Sequence, residues 1–206
     1  NAIRPGEILP NGQIAGPDTA MAECLEAVKD AYESSPYAGI AACMKNSGVG
    51  VGLKDVGRCD LLVEGGRVRI LTSAACMGQG VGAVVTQMVA TVTGLSPALL
   101  THERADTGTT PNAGTTTASR QTLFTGEAAR RAAQALKDAL GDRDLSALEG
   151  LRFEGEYHFD TDPMGSDKPN PVSHAAYGYA AHVVVMDETK SVTKIVAAHD
   201  VGRVVN

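Results

Sequence analysis

The stretch DLLVEGGRVRIL at 60–71 leaves this chain few ways to fold locally. Two β-forming runs flank Gly65-Gly66, and adjacent glycines supply the positive φ that both central positions of a type I′ turn require. The turn implies a hairpin with Glu64 opposite Arg67, Val63 opposite Val68 and Leu61 opposite Ile70. Leu61, Val63, Val68 and Ile70 then form one apolar face. The other face carries a Glu64/Arg67 cross-strand pair and Arg69 beside Leu62.

The second strand of this hairpin runs into SAACMGQGVGAVVTQMV (73–89), where Gln79 stands between Gly78 and Gly80. Val84, Val85, Met88, Val89 and Val92 follow as a helical stripe closed by Gly94. ALLTHERAD (98–106) reads as a strand, and TGTTPNAGTTTASRQT (107–122) as a long hydroxyl-rich loop. A helix is expected over 126–141, with Ala129, Ala132, Ala133, Leu136 and Leu140 on one face and Gly141 at C′. LRFEGEYHFD (151–160) alternates like a strand. The order between 60 and 158 is therefore β-β-α-β-α-β.

Outside this unit lies a Pro/Gly-rich arm at 1–17. Asp18 reads as the N-cap of a helix to about Ser34, with Ala22, Leu25, Val28, Ala31 and Tyr32 on one face. A strand is expected at 37–44, a glycine-rich loop at 46–57 and a proline-rich loop at 161–174. Two antiparallel strands, 177–188 and 192–202, meet across Thr189-Lys190. The expected architecture is α+β: a two-layer ββαβαβ lobe over 58–160, and a second, incomplete sheet in a partial lobe that takes strands 37–45, 176–188 and 192–202.

Composition narrows the partners. A net charge of −6 argues against nucleic acid or an anionic membrane surface. No segment approaches the ~18 consecutive apolar residues of a membrane-spanning helix. Cys24, Cys43, Cys59 and Cys76 form no C-x-x-C pair and no metal-type spacing with histidine. They read as reduced, mostly buried thiols of a cytoplasmic protein. Asn1 opens the chain without methionine and HDVGRVVN closes it just after a strand-like run, as expected of a fragment.

Three readings suit the Gly-Gln-Gly corner. Its glycines can serve turn geometry alone, leaving a non-enzymatic interaction module. Gly78-x-Gly80-x-x-Ala83 also fits the loose pattern of an NAD-type nucleotide turn. However, the preceding strand belongs to a hairpin, and Glu103 poorly matches the acidic residue expected downstream. The third reading is anion binding. A helix N-terminus leaves backbone N–H groups unpaired, glycines let a bulky anion approach, and a glutamine adds a donor that does not titrate. TTTASRQT (115–122) repeats that chemistry before the next helix, and two such corners on one sheet edge would grip a phosphate-bearing cofactor.

VRILTSAACMGQGV, then ADTGTTPNAGTTTASRQTLFTGEAARRAA, then HDVGRVVN resemble, in this order, the molybdenum-binding subunit of the xanthine dehydrogenase / aldehyde oxidase family. The resemblance runs nearly end to end. TDPMGSDKPNPVSHAAYGY looks most like the selenium-dependent xanthine dehydrogenases of anaerobic bacteria. The resemblance implies a molybdopterin cofactor, often in a cytosine dinucleotide form. It also implies oxidation of an N-heterocycle or an aldehyde with water as oxygen source. The expected partners are the remainder of the molybdenum subunit and the iron–sulfur and flavin (FAD) subunits or domains.

Carried onto this chain, Gln79 resembles the amide beside the molybdenum or its dithiolene, with Gly78 and Gly80 allowing close approach. Ala118, Ser119, Gln121 and Thr122 resemble the segment that hydrogen-bonds the pterin and its phosphate. Arg120 reads either with that segment or as a solvated charge or structural ion pair. The family's Gly-Glu-Pro base motif and its Gly-Gly-x-Phe-Gly loop are absent from these residues. No catalytic residue and no metal ligand is therefore assigned, and the chain alone is expected to be inactive. His102, His158, His174, His182 and His199 are scattered and read as structural.

Overall fold

The structure, a computed structural model, describes residues 1–205. Its elements are α1 (Met21–Glu33), β1 (Ala38–Ser47), β2 (Val56–Glu64), β3 (Arg67–Leu71), α2 (Val81–Thr93), β4 (Leu100–His102), α3 (Gln121–Leu140), β5 (Arg152–His158), β6 (Ala176–Met186) and β7 (Val192–Asp200). Short 3-10 turns occupy Pro97–Leu99 and Leu145–Leu148. The chain forms two compact units, one from Asn1–Ser47 with Thr161–Val204 and one centred on Gly48–Asp160.

The second unit is a four-stranded sheet in the order β4-β3-β2-β5 under α2 and α3. The hairpin register follows the turn: Leu61 pairs with Ile70, Val63 with Val68 and Glu64 with Arg67. Leu61, Val63, Val68 and Ile70 are fully buried against Val85 and Val89 of α2 and Ala128, Ala132 and Leu136 of α3. Each such burial contributes about 1.5–3 kcal/mol for a Val- or Leu-sized side chain. The charges on the outer face pair diagonally rather than directly across. Glu64 accepts from Arg69 Nη1 at 2.8 Å, while Arg67 Nη2 donates to the Ala98 carbonyl at 2.7 Å.

α3 lies unusually close to the sheet because β2 and β5 each place a glycine beneath it. A Cβ on Gly155 would stand 2.0 Å from the Ala128 oxygen, and one on Gly57 would stand 2.4 Å from the Phe124 carbonyl. The helix meets the strands with alanines, so backbone packs on backbone.

Three expectations change here. α3 begins at Gln121, five residues before Gly126. The polar start is held from outside the helix, with Phe124 buried against Tyr157 and the Gln121 amide on the Thr115 carbonyl and Thr116 Oγ1, and the Thr125 hydroxyl adds an i,i+4 bond to Gln121 Oε1. β4 keeps only Leu100–His102 of the strand expected over 98–106, because a Ser96-capped 3-10 turn at Pro97–Leu99 takes its start and a turn held on Asp106 by Gly108 and Thr110 follows its end. Finally, β4 runs parallel to β3, so β3 is at once a hairpin strand and the first strand of a β-α-β crossover through α2.

The first unit is an antiparallel sheet, β1-β6-β7, with α1 on one face. Met21, Cys24 and Val28 pack against Tyr179, Ala181, Val183 and Val185. Asp18 does not cap α1. A Gly16–Thr19 turn and the Tyr179 hydroxyl on Thr19 hold this stretch, and the helix starts after Ala20 without a side-chain cap. No helix among the described residues is long and apolar enough to cross a membrane.

Candidate functional site

Two loops of the second unit are stitched together ahead of α2 and α3. Ser73 Oγ accepts the Ala113 N–H at 2.7 Å. Thr116 Oγ1 accepts the Ala75 N–H at 3.0 Å and donates to the Ala75 carbonyl at 3.1 Å. Thr72, fully buried, anchors the strand end by donating to the Arg58 carbonyl. These bonds set the Gly-Gln-Gly corner beside the hydroxyl-rich corner.

Between the corners lies a cavity of about 420 Å³ lined by Met77, Gln79, Thr116–Ser119, Arg120, Gln121 and Thr122. The lining is amide, hydroxyl and methyl chemistry with no carboxylate, and its one cation is neutralised internally. α3 starts without a side-chain cap, so the N–H groups of its first turn have no partner within the helix. α2 starts the same way behind Gly80, at φ 76°. Ala118 and Ser119 sit consecutively in the left-handed region, at φ 48° and 53°. Non-glycine residues adopt that region rarely, and it clusters at functional loops.

Of the residues singled out from sequence, Gln79, Ala118, Ser119, Gln121 and Thr122 line this cavity. Gly78 and Gly80 belong to the same loop, and a Cβ on either would meet nothing within 4 Å. Two of the side chains are already engaged. Gln79 donates from Nε2 to the Ala75 carbonyl at 2.9 Å and accepts the Met77 N–H at 2.5 Å, which leaves one amide hydrogen for other use. The buried Gln121 donates to the Thr115 carbonyl and Thr116 Oγ1 and accepts from Thr125, so it offers its backbone rather than its amide.

Arg120 is a structural ion pair. It is 1% exposed and its Nε donates to Asp55, itself buried. Nη1 reaches the Ala113 and Thr115 carbonyls, and Nη2 the Val56 carbonyl. Sequence reasoning missed Asp55, whose only local signal is one acid in a glycine-rich stretch. It also missed Thr116, one hydroxyl among many.

A second cavity, of about 870 Å³, includes Cys76, His102, Glu103 and Arg104 in its lining. The backbone N–H of Gly78, then those of Gly80 and Val81, hold the Cys76 thiol below its ordinary range. Burial lowers His102, whose Nε2 is buried without a partner. Cys24 and Cys59 are buried but Cys43 and Cys76 are exposed, so the thiols divide evenly rather than being mostly buried. Burial pushes the Cys59 thiol up to about 12. The parallel β3-α2-β4 crossover removes one objection to a nucleotide turn. Glu103, the acid that turn needs, is instead tied to Arg69 Nε at 3.0 Å. In the first unit, His182 and His199 share a 2.8 Å Nε2–Nε2 hydrogen bond on an exposed strand pair. Among the described residues no three His, Cys, Asp or Glu side chains converge as a metal site.

No curated protein sequence matches the chain. Its fold is similar to that of the aldehyde oxidoreductase from Desulfovibrio desulfuricans ATCC 27774, with a TM-score of 0.80 and 22% identity. The likeness covers 100% of this chain and 26% of that one. The aldehyde oxidoreductase from Desulfovibrio gigas gives a TM-score of 0.76 at 22% identity, again over 100% and 26%. Quinoline 2-oxidoreductase from Pseudomonas putida 86 gives 0.60 at 18%, over 98% of this chain and 33% of that one. The chain thus spans about a quarter to a third of the length of these structures, which share its fold. A family model described as a molybdopterin cofactor-binding domain matches residues 21–154, more than half of the chain. With that match and this fold, the chain belongs to the molybdopterin cofactor-binding domain family.

Proposed function

We propose that this chain supplies part of the molybdopterin cradle of a molybdenum hydroxylase. In this reading the enzyme oxidises an N-heterocycle or an aldehyde with water as oxygen source. The observation that carries the reading is the shared cavity: Gln79 from one corner and Ala118, Ser119 and Thr122 from the other line one space at the uncapped start of a 20-residue helix. A carboxylate-free lining of amide, hydroxyl and backbone N–H groups fits a large anion carrying dithiolene and phosphate. Bound there, the metal–pterin group supplies the redox chemistry; these residues bind and orient it. Gln79 would face it with its remaining amide hydrogen, Gly78 and Gly80 would allow close approach, and Ser119, Thr122 and the first-turn N–H groups, including that of Gln121, would hold the pterin and phosphate end.

The wider assignment belongs to the same proposal. The cofactor is a molybdopterin, with a cytosine dinucleotide form as the extended version. The partners are the rest of the molybdenum subunit and iron–sulfur and FAD carriers, in the cytoplasm. The test is the metal and pterin content of the full-length protein purified from a molybdenum-competent host. Near-stoichiometric molybdenum and pterin are expected, and their absence would sink the reading. The isolated chain is expected to oxidise neither xanthine nor an aldehyde and to retain little pterin. Calorimetric titration with NAD should release no heat; saturable heat would revive the nucleotide reading.

A further inference from the structure

The structure assigns a distinct role to the buried Asp55–Arg120 pair: it is the positioning device of the cavity, not a counter-charge for what the cavity holds. The inference rests on the reading that a molybdenum–pterin anion binds there. The Arg120 side chain is 1% exposed, and protein acceptors occupy four of its five guanidinium N–H groups. Its Nε goes to the Asp55 carboxylate, Nη1 to the Ala113 and Thr115 carbonyls at 2.8 and 2.9 Å, and Nη2 to the Val56 carbonyl at 2.7 Å. Asp55 passes the tie onward, since its Oδ2 accepts the Val49 N–H at 2.8 Å. The guanidinium lies 5.1 Å from the centre of the Phe124 ring, one turn into α3. A Cβ on Gly114 would stand 3.2 Å from Nη1, so the loop wraps tightly around the group.

The Asp55–Arg120 pair therefore ties three segments together: the 49–56 stretch, the loop at 113–115 and the start of α3. Thr116–Ser119, one side of the cavity lining, lie between the Thr115 tie and Arg120 itself. Ala118 and Ser119 are held in left-handed backbone, and the Ala118 carbonyl is fixed further by the Gly48 N–H at 3.1 Å. A loop already held in an unfavourable backbone shape has little left to order when its ligand arrives, and such preorganisation slows release. Only a guanidinium has donors in a rigid planar fork able to serve three carbonyls and a carboxylate together. A lysine ammonium keeps the charge but not the fork.

The experiment uses the full-length protein loaded with cofactor, in three forms: wild type, Arg120→Lys, and Leu148→Ala as a destabilised core variant away from the cavity. The rate of pterin release into filtrate is read by fluorescence after oxidation. Arg120→Lys should release pterin at least tenfold faster, with Leu148→Ala at the wild-type rate. Wild-type release from Arg120→Lys overturns the inference. So does equal acceleration in both variants, which would mark the pair as merely structural. A wild-type protein that carries no pterin overturns the cofactor reading itself, and this inference with it. Hydrogen exchange on cofactor-free wild type provides a second readout if Arg120→Lys does not fold. The amides of Gly48, Val49, Arg120 and Phe124, bonded to the Ala118 carbonyl, Asp55 Oδ2, the Thr117 carbonyl and the Arg120 carbonyl, should already exchange slowly, and protection there that appears only on loading overturns the inference.

Discussion

Cys76 and His102 line the same cavity and titrate in the same direction for different reasons. The Cys76 thiol is exposed and meets the N–H groups that open α2, Gly78 foremost, which stabilise the thiolate. Iodoacetamide at neutral pH should therefore alkylate Cys76 well before Cys24 or Cys59, as read by peptide mass spectrometry. Equal labelling of Cys59, whose thiol burial pushes up to about 12, would contradict this. His102 is lowered because its imidazole is buried. The unfolded imidazole takes up its proton near its ordinary 6.5 while the native one does not, so acid favours unfolding. Stability should be full above that pH and fall as pH drops through it. His174, also lowered by burial, adds to the same slope. Urea titrations between about pH 7.5 and 5.5 should show a shallower decline for His102→Gln than for wild type; parallel curves would remove His102 from the account. Glu127, held low chiefly by Arg130, adds a separate loss at more acidic pH, as its own carboxyl is protonated.

At the scale of elements, the close seat of α3 on β2 and β5 depends on two glycines. Gly155→Ala and Gly57→Ala would each drive a methyl into backbone, 2.0 Å from the Ala128 oxygen and 2.4 Å from the Phe124 carbonyl. Backbone cannot yield as a flexible side chain can, so each should cost about 1–3 kcal/mol or more. Gly39→Ala, in β1, meets nothing within 4 Å and should leave stability unchanged or raise it by up to about 1 kcal/mol. Urea unfolding followed by circular dichroism checks all three, and a neutral Gly155→Ala would mean that α3 is not seated as described. The elements themselves were largely legible, since the α2 and α3 stripes and the hairpin alternation arise from local periodicity. The five residues at the start of α3 were not, because Phe124 packs on Tyr157 of a distant strand and Gln121 is held by the Thr115 carbonyl and Thr116 Oγ1 of the preceding loop, neither of which shows as an apolar helical stripe.

At the scale of the whole molecule, ion pairs with exposed partners outnumber buried ones among the described residues, and the two kinds should respond differently. Arg58–Glu156, Arg69–Glu64 and Arg130–Glu127 are partly solvated, whereas Arg120 and Asp55 have side chains 1% and 3% exposed. Raising salt from about 0.1 to 0.5 M should shift unfolding by less than about 1 kcal/mol, because exposed pairs contribute little and are already screened. Asp55→Asn should cost about 3–5 kcal/mol, because it leaves a guanidinium buried without its counter-charge. A denaturation midpoint for Asp55→Asn within error of wild type would show that the pair is not buried in solution.

Local chemistry was readable from the residues alone: a hairpin whose glycine turn dictates its register, helices marked by their apolar stripes, and two polar corners rich in amide and hydroxyl groups. These are properties of neighbours within about ten residues, where φ/ψ preference and side-chain period act directly. The tertiary structure alone decided that the two corners share one cavity, that Gln79 and Gln121 have most of their amide bonds engaged, that Cys76 is open to solvent, and that Arg120 is a strut. Arg120 and Asp55 lie 65 positions apart. Nothing within either neighbourhood marks the other, and their pairing arises only when α3 packs down on the glycines of the sheet and carries both charges out of water.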